Sequence, residues 1–233
     1  MVKTEDYVFA PPHVSSVAIK GSDKRFPVHR IYCVGRNYAE HVREMGGDER
    51  QKPFFFQKPA DSIVEDGAAI RYPSGTVDFQ HEIELVLAIG RGGTDIEVEE
   101  AAGHIFGLTV GIDLTRRDLQ VEARQAGRPW EIGKSFDHSA PIAAIVPLNG
   151  EPLPGSGVIS LHVNGQLRQR GDLAEMIWNP AEIVSQLSRQ YALQAGDLIF
   201  TGTPAGVGPM AAGDEVIGEL DGIGSIRVAI VAA

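Results

Sequence analysis

The chain has 233 residues, enough for one large domain, and its hydrophobic content of 43% is typical of a globular protein. Its formal net charge of −10 argues against a nucleic-acid partner or an anionic membrane surface, so an anionic ligand would need local positive charge. The single cysteine, Cys33, excludes an internal disulfide and a cysteine-rich metal site, and indicates a reducing compartment. Because the sequence shows neither a signal-peptide pattern nor an apolar run of membrane-spanning length, we expect a cytoplasmic protein without a membrane partner.

Short strand patterns separated by glycine and proline dominate the chain. Residues 1–25 are mixed and polar and predict an N-terminal strand or arm. Strands are predicted at 30–34, 54–57, 82–89, 106–112, 142–146, 159–163, 197–200, 214–220 and 225–231. Helices are predicted at 38–45, 115–126 and 180–191, the last starting with Asn179 as N-cap and Pro180 at its first position. Strands and helices do not alternate regularly, so we predict an α+β, β-rich fold rather than a doubly wound parallel sheet.

His41 and Glu44 are three residues apart on the first predicted helix, so their side chains share a face. Imidazole titrates near neutrality, and a carboxylate can orient it, as a general base requires. The alternative is an exposed helix with an incidental His–Glu pair. Gly46, Gly47 and the polar run 48–52 indicate a hinge and a mobile stretch after this helix.

Glu82 and Glu84 lead into the apolar run 83–89, and alternate residues of a strand point to the same face. Two carboxylates this close raise each other's pKa or stay ionised beside a cation. A divalent metal would be such a cation, and oxygen ligands favour magnesium, calcium or manganese over zinc. The alternative is a strand end in solvent, which needs no metal.

Asp113 ends the second apolar run, 106–112. An aspartate here can cap the helix that follows, but Thr115 and Asp118 have the capping-box spacing and are the better cap. Asp113 is then left without a structural task. Three carboxylates from two strand ends would fill three positions of an octahedral Mg²⁺ and leave three for water or a chelating substrate. We therefore predict an open, catalytic type of metal site at Glu82, Glu84 and Asp113.

Arg117 and Gln120 follow Asp113 by four and seven residues and lie on the same side of the next helix. An arginine there can bind a substrate carboxylate with two hydrogen bonds, or it can be an ordinary surface residue. Several familiar site patterns are missing from the sequence: the Gly-x-Ser-x-Gly elbow, His-Glu-x-x-His, the Rossmann glycine spacing and the Walker lysine.

Five stretches taken together resemble the fumarylacetoacetate hydrolase family. They are CVGRNYAEH (33–41), HEIELVLAIG (81–90), GIDLTRRDLQ (111–120), GKSF (133–136) and TGTPAGVG (201–208). The resemblance extends over about residues 28–231 and is nearest to the short acylpyruvate and fumarylpyruvate hydrolases of the family. It implies a catalytic domain over residues 26–233, rolled mixed β-sheets with a few short helices, a homodimer, and Mg²⁺ or Mn²⁺ bound by Glu82, Glu84 and Asp113.

The resemblance also implies roles for residues that have simpler interpretations. His41 and Glu44 would lie on a lid and together activate water. Lys134, which could equally be a solvated lysine between glycine and serine, would lie near the metal and stabilise a developing enolate. Thr203, otherwise part of a plain turn, would offer its hydroxyl and backbone N–H groups to a carboxylate. Lys58 is a weaker candidate for positive charge at the site.

These roles predict a hydrolase that cleaves a 2,4-dioxo acid, with fumarylpyruvate yielding fumarate and pyruvate at the end of a gentisate-type aromatic breakdown route. The bond would break through a metal-stabilised pyruvate enolate. The same site could decarboxylate oxaloacetate or isomerise a 2-oxo acid, and a non-catalytic carboxylate-binding protein is the alternative from another class. Arg168 and Arg170 could hold the far carboxylate of the substrate or face water.

Overall fold

Runs of branched and aromatic residues form a mixed sheet of eight strands that carries most of the predicted site. The computed structural model describes residues 7–38 and 51–233. The strands of this sheet, in spatial order, are β4 (Phe54–Lys58), β3 (Ile31–Gly35), β15 (Leu198–Phe200), β8 (Ile83–Ile89), β9 (Ile105–Ile112), β11 (Ala140–Ile142) and β5 (Ile63–Glu65), while β12 (Val146–Pro147) also pairs with β9. The β3–β15 and β5–β11 pairs are parallel and the others antiparallel.

Three smaller sheets surround the large one in the described part of the chain. The first contains β14 (Gln166–Asp172), β13 (Val158–Val163), β17 (Glu215–Leu220), β18 (Gly224–Val231) and β6 (Ala69–Arg71). The second contains β10 (Thr115–Arg116), β7 (Phe79–His81) and β16 (Gly208–Pro209), and the third is the hairpin of β1 (Ser16–Ala18) and β2 (Arg25–Pro27).

Helices are few and short within the described residues. The α-helices are α1 (Arg117–Gln125), α2 (Glu131–Lys134) and α3 (Pro180–Ser188), and 3-10 turns occur at Ala60–Ser62, Val98–His104 and Leu173–Glu175. None of these helices has both the length and the apolar character needed to cross a membrane. The β-rich fold with curled, mixed sheets that the sequence predicted is therefore confirmed.

The core lies between the eight-stranded sheet and the five-stranded sheet. Every residue of β8 is buried, and β13 and β17 contact β8 and β9 from the neighbouring sheet. The two sheets approach so closely that a Cβ at Gly218 would lie 2.3 Å from Ile83 Cδ1. Cys33 is also fully buried, in a second apolar cluster that includes Val17 and Phe26.

Most predicted strands agree with the structure within a residue or two, but the predicted strand 142–146 is wrong as a single element. Ile142 pairs with Gly111 and Val146 pairs with Leu108, so the intervening segments differ in length by one residue and the ladder breaks. The hydroxyl of Thr109 donates to the Ala143 carbonyl (3.0 Å) in this gap.

Helix predictions need three corrections or limits. The capping box at Thr115 and Asp118 is wrong, because Thr115 belongs to β10 and the helix begins at Arg117. Asp118 instead accepts from the Val77 N–H (2.9 Å). The Asn179 cap is confirmed by its bond from the Glu182 N–H, although α3 ends at Ser188 rather than at 191. Beyond residue 38, the predicted helix 38–45 lies outside the described residues.

Gly111 offers a test of the packing beneath the site, because it pairs with Glu84 and faces the neighbouring strand. An added Cβ would lie 2.7 Å from Phe200 Cε1 and 2.9 Å from Val86 Cγ2, both within the buried sheet. We expect Gly111→Ala to lower the free energy of unfolding by about 1–3 kcal/mol in urea denaturation. Gly155→Ala is the control, since its Cβ meets nothing within 4 Å; an equal effect of both substitutions would contradict the packing.

Candidate metal centre and substrate pocket

The pairing of β8 with β9 brings the three predicted carboxylates together. Ile83 pairs with Ile112, and one residue further out the Asp113 N–H donates to the Glu82 carbonyl (2.8 Å). Glu84 lies on the same strand two residues from Glu82. All three side chains are buried, and one carboxylate oxygen from each lies within 4.8 Å of the others. A cluster of hard oxygen donors at this separation fits a divalent cation.

Lys134 bridges two of the carboxylates. Its Nζ lies 2.7 Å from Glu82 Oε2 and 2.7 Å from Asp113 Oδ2, and it also donates to the Thr115 hydroxyl (2.7 Å). This third contact explains why Thr115 does not cap the helix. The lysine is therefore a buried partner of the acidic cluster and not a solvated side chain.

Two more cations complete the electrostatic surroundings. Lys58 Nζ lies 2.8 Å from Asp113 Oδ1 and donates to the backbone carbonyls of Leu114 and Lys134. The guanidinium of Arg117 donates to Glu82 Oε1. Three carboxylates thus face three cationic side chains, which is a formal balance of charge without any bound ion. Lys58, a weak candidate from the sequence, contacts Asp113 directly, as Lys134 also does.

The charges in this cluster shift two of its pKa values. Burial, and then the nearby Asp113 and Glu82 carboxylates, raise the pKa of Glu84 well above its usual value, although the Gly202 N–H donates to Glu84 Oε2 (2.7 Å). For Lys134, burial alone would lower the pKa, but the Asp113 and Glu82 carboxylates raise it. A divalent cation beside Glu84 would favour its ionised form, so the residues present fit such an ion.

A glycine lets the helices α1 and α2 approach closely enough to deliver Lys134. A Cβ at Gly133 would lie 2.7 Å from Gln120 Cβ and 2.8 Å from its backbone, so a larger residue would push the helices apart. Lys134 at the end of α2 therefore reaches the cluster because residue 133 has no side chain.

Arg117 and Gln120 lie side by side at the start of α1, and both are buried. Arg117 donates from Nε to Gln80 Oε1 (2.8 Å) and from Nη1 to Gln120 Oε1 (2.5 Å), in addition to its contact with Glu82. Three of its five N–H groups bond to described residues in this way, and the other two have no partner among those residues. The surface alternative for Arg117 is therefore excluded, while its role towards a substrate remains a prediction.

Thr203 belongs to a loop that is hydrogen-bonded to β8, the strand that carries Glu84. The backbone N–H and the hydroxyl of Thr201 both donate to the Leu85 carbonyl (3.1 and 2.9 Å). Gly202 follows with a φ of 96° and packs so closely on Asn37 that a Cβ would lie 2.6 Å from its Cβ. The loop after β15 is thus held in a left-handed turn that only glycine adopts readily.

A small pocket lies over this cluster. Its lining includes the predicted residues Glu82, Glu84, Arg117, Gln120, Lys134 and Thr203. Asp113 lies beneath them with Lys58. The structure therefore brings together seven of the nine predicted site residues. The other two, His41 and Glu44, lie outside the described residues.

Sequence reasoning missed several residues that line the same pocket. Arg36, Phe56 and Trp130 contribute to its wall, and the Phe56 and Trp130 rings lie 6.0 Å apart. Arg36 has a left-handed φ of 62°, uncommon for a large side chain, and its position in the CVGRNYAEH stretch was the available signal. Gln169, which does not line the pocket but contacts Thr203, was not singled out either: it is fully buried, whereas Arg168 and Arg170 on either side are exposed.

The fold and the acidic, lysine-balanced cluster define a β-rich protein whose buried carboxylates could hold a divalent metal ion. The sequence model of the family described as fumarylacetoacetate (FAA) hydrolase C-terminal matches residues 30–231, and the chain belongs to this family. A fumarylpyruvate hydrolase of Ralstonia sp. is 44% identical over 180 residues, which are 77% of this chain and 93% of the relative.

Two further relatives show the range of activities among similar proteins. The mitochondrial oxaloacetate tautomerase of Mus musculus is 40% identical over 197 residues, which are 84% of this chain and 89% of that protein. The crystal structure of fumarylpyruvate hydrolase from Pseudomonas aeruginosa, in complex with Mn²⁺ and pyruvate, is 52% identical with a TM-score of 0.95. That comparison covers 97% of this chain and 100% of the other.

Lys58 allows the charge balance of the cluster to be tested. We expect Lys58→Met to lower the free energy of unfolding of the metal-free protein by about 3 kcal/mol, since it removes one partner of a buried ion pair. Added Mn²⁺ should restore more stability to this variant than to the unmodified protein, because the cluster is then more negative. Urea unfolding with EDTA or Mn²⁺ measures both effects. Lys24→Met, at an exposed lysine, is the control. Equal changes in the free energy of unfolding for the two variants would refute the charge balance of the cluster.

Proposed function

We propose that this chain is a metal-dependent hydrolase that cleaves the C–C bond of an acylpyruvate, with fumarylpyruvate yielding fumarate and pyruvate. The observation that carries the proposal is the buried cluster of Glu82, Glu84 and Asp113, bridged by Lys134 and open to a pocket. The 52% identity to a fumarylpyruvate hydrolase over nearly the whole chain supports the choice of substrate.

Glu82, Glu84 and Asp113 are the proposed ligands of Mg²⁺ or Mn²⁺. Such an ion would supply Lewis-acid polarisation of the substrate oxygens. The cluster is formally balanced by Lys58, Lys134 and Arg117, so a divalent ion would leave an excess of two positive charges. A substrate carboxylate together with a developing enolate carries two negative charges, which matches this excess.

The side chains of the pocket would bind the acid and stabilise the charge that develops. Arg117 has N–H groups left for a carboxylate, and Gln120 holds its guanidinium in place. Thr203 would add a hydroxyl from the opposite loop. The ammonium of Lys134, buried beside the cluster, would stabilise the enolate as negative charge appears on the 2-oxo oxygen.

Bond cleavage would need an attacking water, and His41 with Glu44 is the proposed general base. The water oxygen would bond to the distal carbonyl carbon, and His41 would take the proton that it loses. The bond between carbons 3 and 4 would then break, and its electron pair would remain on carbon 3 as the enolate of pyruvate. Return of the proton to carbon 3 would complete the hydrolysis, so that one water is consumed and two acids are formed.

Tautomerisation of oxaloacetate is a second candidate, favoured by the 40% identity to the mouse oxaloacetate tautomerase. Oxaloacetate would use the same carboxylate contacts and the same enolate stabilisation, and its decarboxylation would lead to the enolate of pyruvate without an attacking water. We also propose that the protein is a cytoplasmic homodimer, which rests on the family and on the composition.

A substrate panel with controlled metal tests the main proposal. We expect the protein to cleave fumarylpyruvate faster than acetylpyruvate, to lose activity in EDTA, and to regain it with Mg²⁺ or Mn²⁺. Ultraviolet absorbance of the dioxo acids and detection of pyruvate give the rates, and the tautomerisation of oxaloacetate is followed in parallel. Turnover of oxaloacetate alone would favour the second candidate, and metal-independent cleavage would refute the proposed centre.

His41→Ala separates water activation from enolate chemistry. Because only hydrolysis needs an attacking water, we expect acylpyruvate cleavage to fall by about 10²- to 10⁴-fold, the usual contribution of a general base. Pyruvate binding should change little, since the proposed carboxylate contacts are untouched. His162→Ala, at a partly buried histidine on β13, is the control. Full cleavage activity in His41→Ala would exclude the histidine as the base.

A further inference from the structure

The buried side chain of Gln169 forms hydrogen bonds to three segments of the chain beside the pocket. It lies on β14 with no exposed surface and contacts both the strand that carries the metal ligands and the loop that carries Thr203. We propose that Gln169 is a positioning residue that orients the Thr203 hydroxyl to donate its proton to an anionic group in the pocket. This inference rests on the proposed function, in which Thr203 contacts the substrate carboxylate.

Two backbone groups determine which way the amide of Gln169 points. Gln169 Oε1 lies 3.1 Å from the Ile83 nitrogen, whose N–H can only donate. Gln169 Nε2 lies 2.9 Å from the Pro204 carbonyl, which can only accept. Exchange of the oxygen and the nitrogen would place like groups together at both contacts, so the orientation is fixed by the chemistry of its neighbours.

The state of Thr203 follows from this orientation. The second N–H of Gln169 donates to Thr203 Oγ1 (2.8 Å), so the hydroxyl oxygen is an acceptor in this contact. The hydroxyl proton of Thr203 has no acceptor among the described residues. Thr203 lines the pocket, so its hydroxyl proton is available to a bound carboxylate. Without Gln169, the Thr203 hydroxyl could rotate, and its proton would no longer be directed to a bound carboxylate.

The same amide orients His81 on the other side. His81 Nδ1 lies 2.8 Å from Gln169 Oε1, so this nitrogen carries the proton. All the hydrogen-bonding capacity of the amide is then used: its oxygen accepts from two groups and its two N–H bonds donate to two others. Such a fully satisfied buried amide holds its partners in one arrangement.

Close packing of β14 against the loop supports a positioning role. A Cβ at Gly206 would lie 2.2 Å from the Arg168 carbonyl oxygen, and one at Gly171 would lie 2.7 Å from Pro204 Cβ. Glycines therefore allow the loop to lie directly on the strand on both sides of Gln169, which places the amide within reach of Thr203 and Pro204.

A double-mutant cycle tests the inference in the full-length, Mn²⁺-loaded protein. The variants are Gln169→Met, Thr203→Val and the combination, with calorimetric binding of pyruvate as the readout. We expect each single substitution to weaken pyruvate binding by roughly tenfold, the effect of one lost hydrogen bond to a charged group. The double variant should bind no more weakly than either single variant, because Gln169 acts through Thr203.

Two controls separate this role from general support of the fold. Gln166→Met, at an exposed glutamine on the same strand, should leave binding unchanged. If Gln169→Met does not fold, Gln169→Glu takes its place. The introduced carboxylate would accept a hydrogen bond from the Thr203 hydroxyl, so this substitution should also weaken pyruvate binding. A loss of pyruvate affinity of roughly a hundredfold in the double variant would overturn this inference but not the proposed function. Normal pyruvate binding by a folded Gln169 variant would do the same. Failure of the unmodified protein to bind pyruvate and to turn over any acylpyruvate would overturn both proposals.

Discussion

The structure depends on the placement of three carboxylates within 4.8 Å of one another in a buried site. Repulsion among them and the loss of their hydration would destabilise the fold unless cations lie equally close. Lys134 meets this requirement through two contacts of 2.7 Å, and Lys58 and Arg117 supply the remainder. The cations come from β4, α1 and α2, so these elements must meet at the end of β8 and β9. Much of the local packing, including the absence of a side chain at residue 133, serves that meeting.

Paired strands carry the three carboxylates, and hydrogen bonds hold the connecting loops against these strands. Glu84 lies within a paired strand, and Glu82 and Asp113 are one residue beyond the pairs on either side. The loop with Gly202 and Thr203 is attached by Thr201 to the carbonyl of Leu85. Asn37 donates to the carbonyl of Thr201 (2.7 Å) and so joins the end of β3 to the same loop. Sites built on paired strands are held more precisely than sites on loops.

Sequence periodicity was sufficient to predict that the three carboxylates converge, but not which side chains surround them. Glu82 and Glu84 follow the two-residue repeat of a strand, and Asp113 ends the neighbouring apolar run, so local rules predicted their convergence. The capping box at Thr115 failed because the Thr115 hydroxyl accepts a hydrogen bond from Lys134, a tertiary contact that outweighs a local preference. The partners of Lys58 and Gln169 could not be located by pattern, since they lie at least 55 and at least 34 residues away along the chain. Family likeness pointed to Lys134 and Thr203, but not to the contacts that orient them.

Cys33 carries the only thiol of the chain and lies in the middle of β3, between two paired strands. Burial raises the pKa of this thiol well above its usual value, so the reactive thiolate is scarce while the sheet is closed. The Cys33 side chain packs in the apolar cluster that includes Val17 and Phe26, so a thiol reagent can reach the sulfur only when that packing opens. The rate of thiol labelling therefore measures how often this part of the core opens.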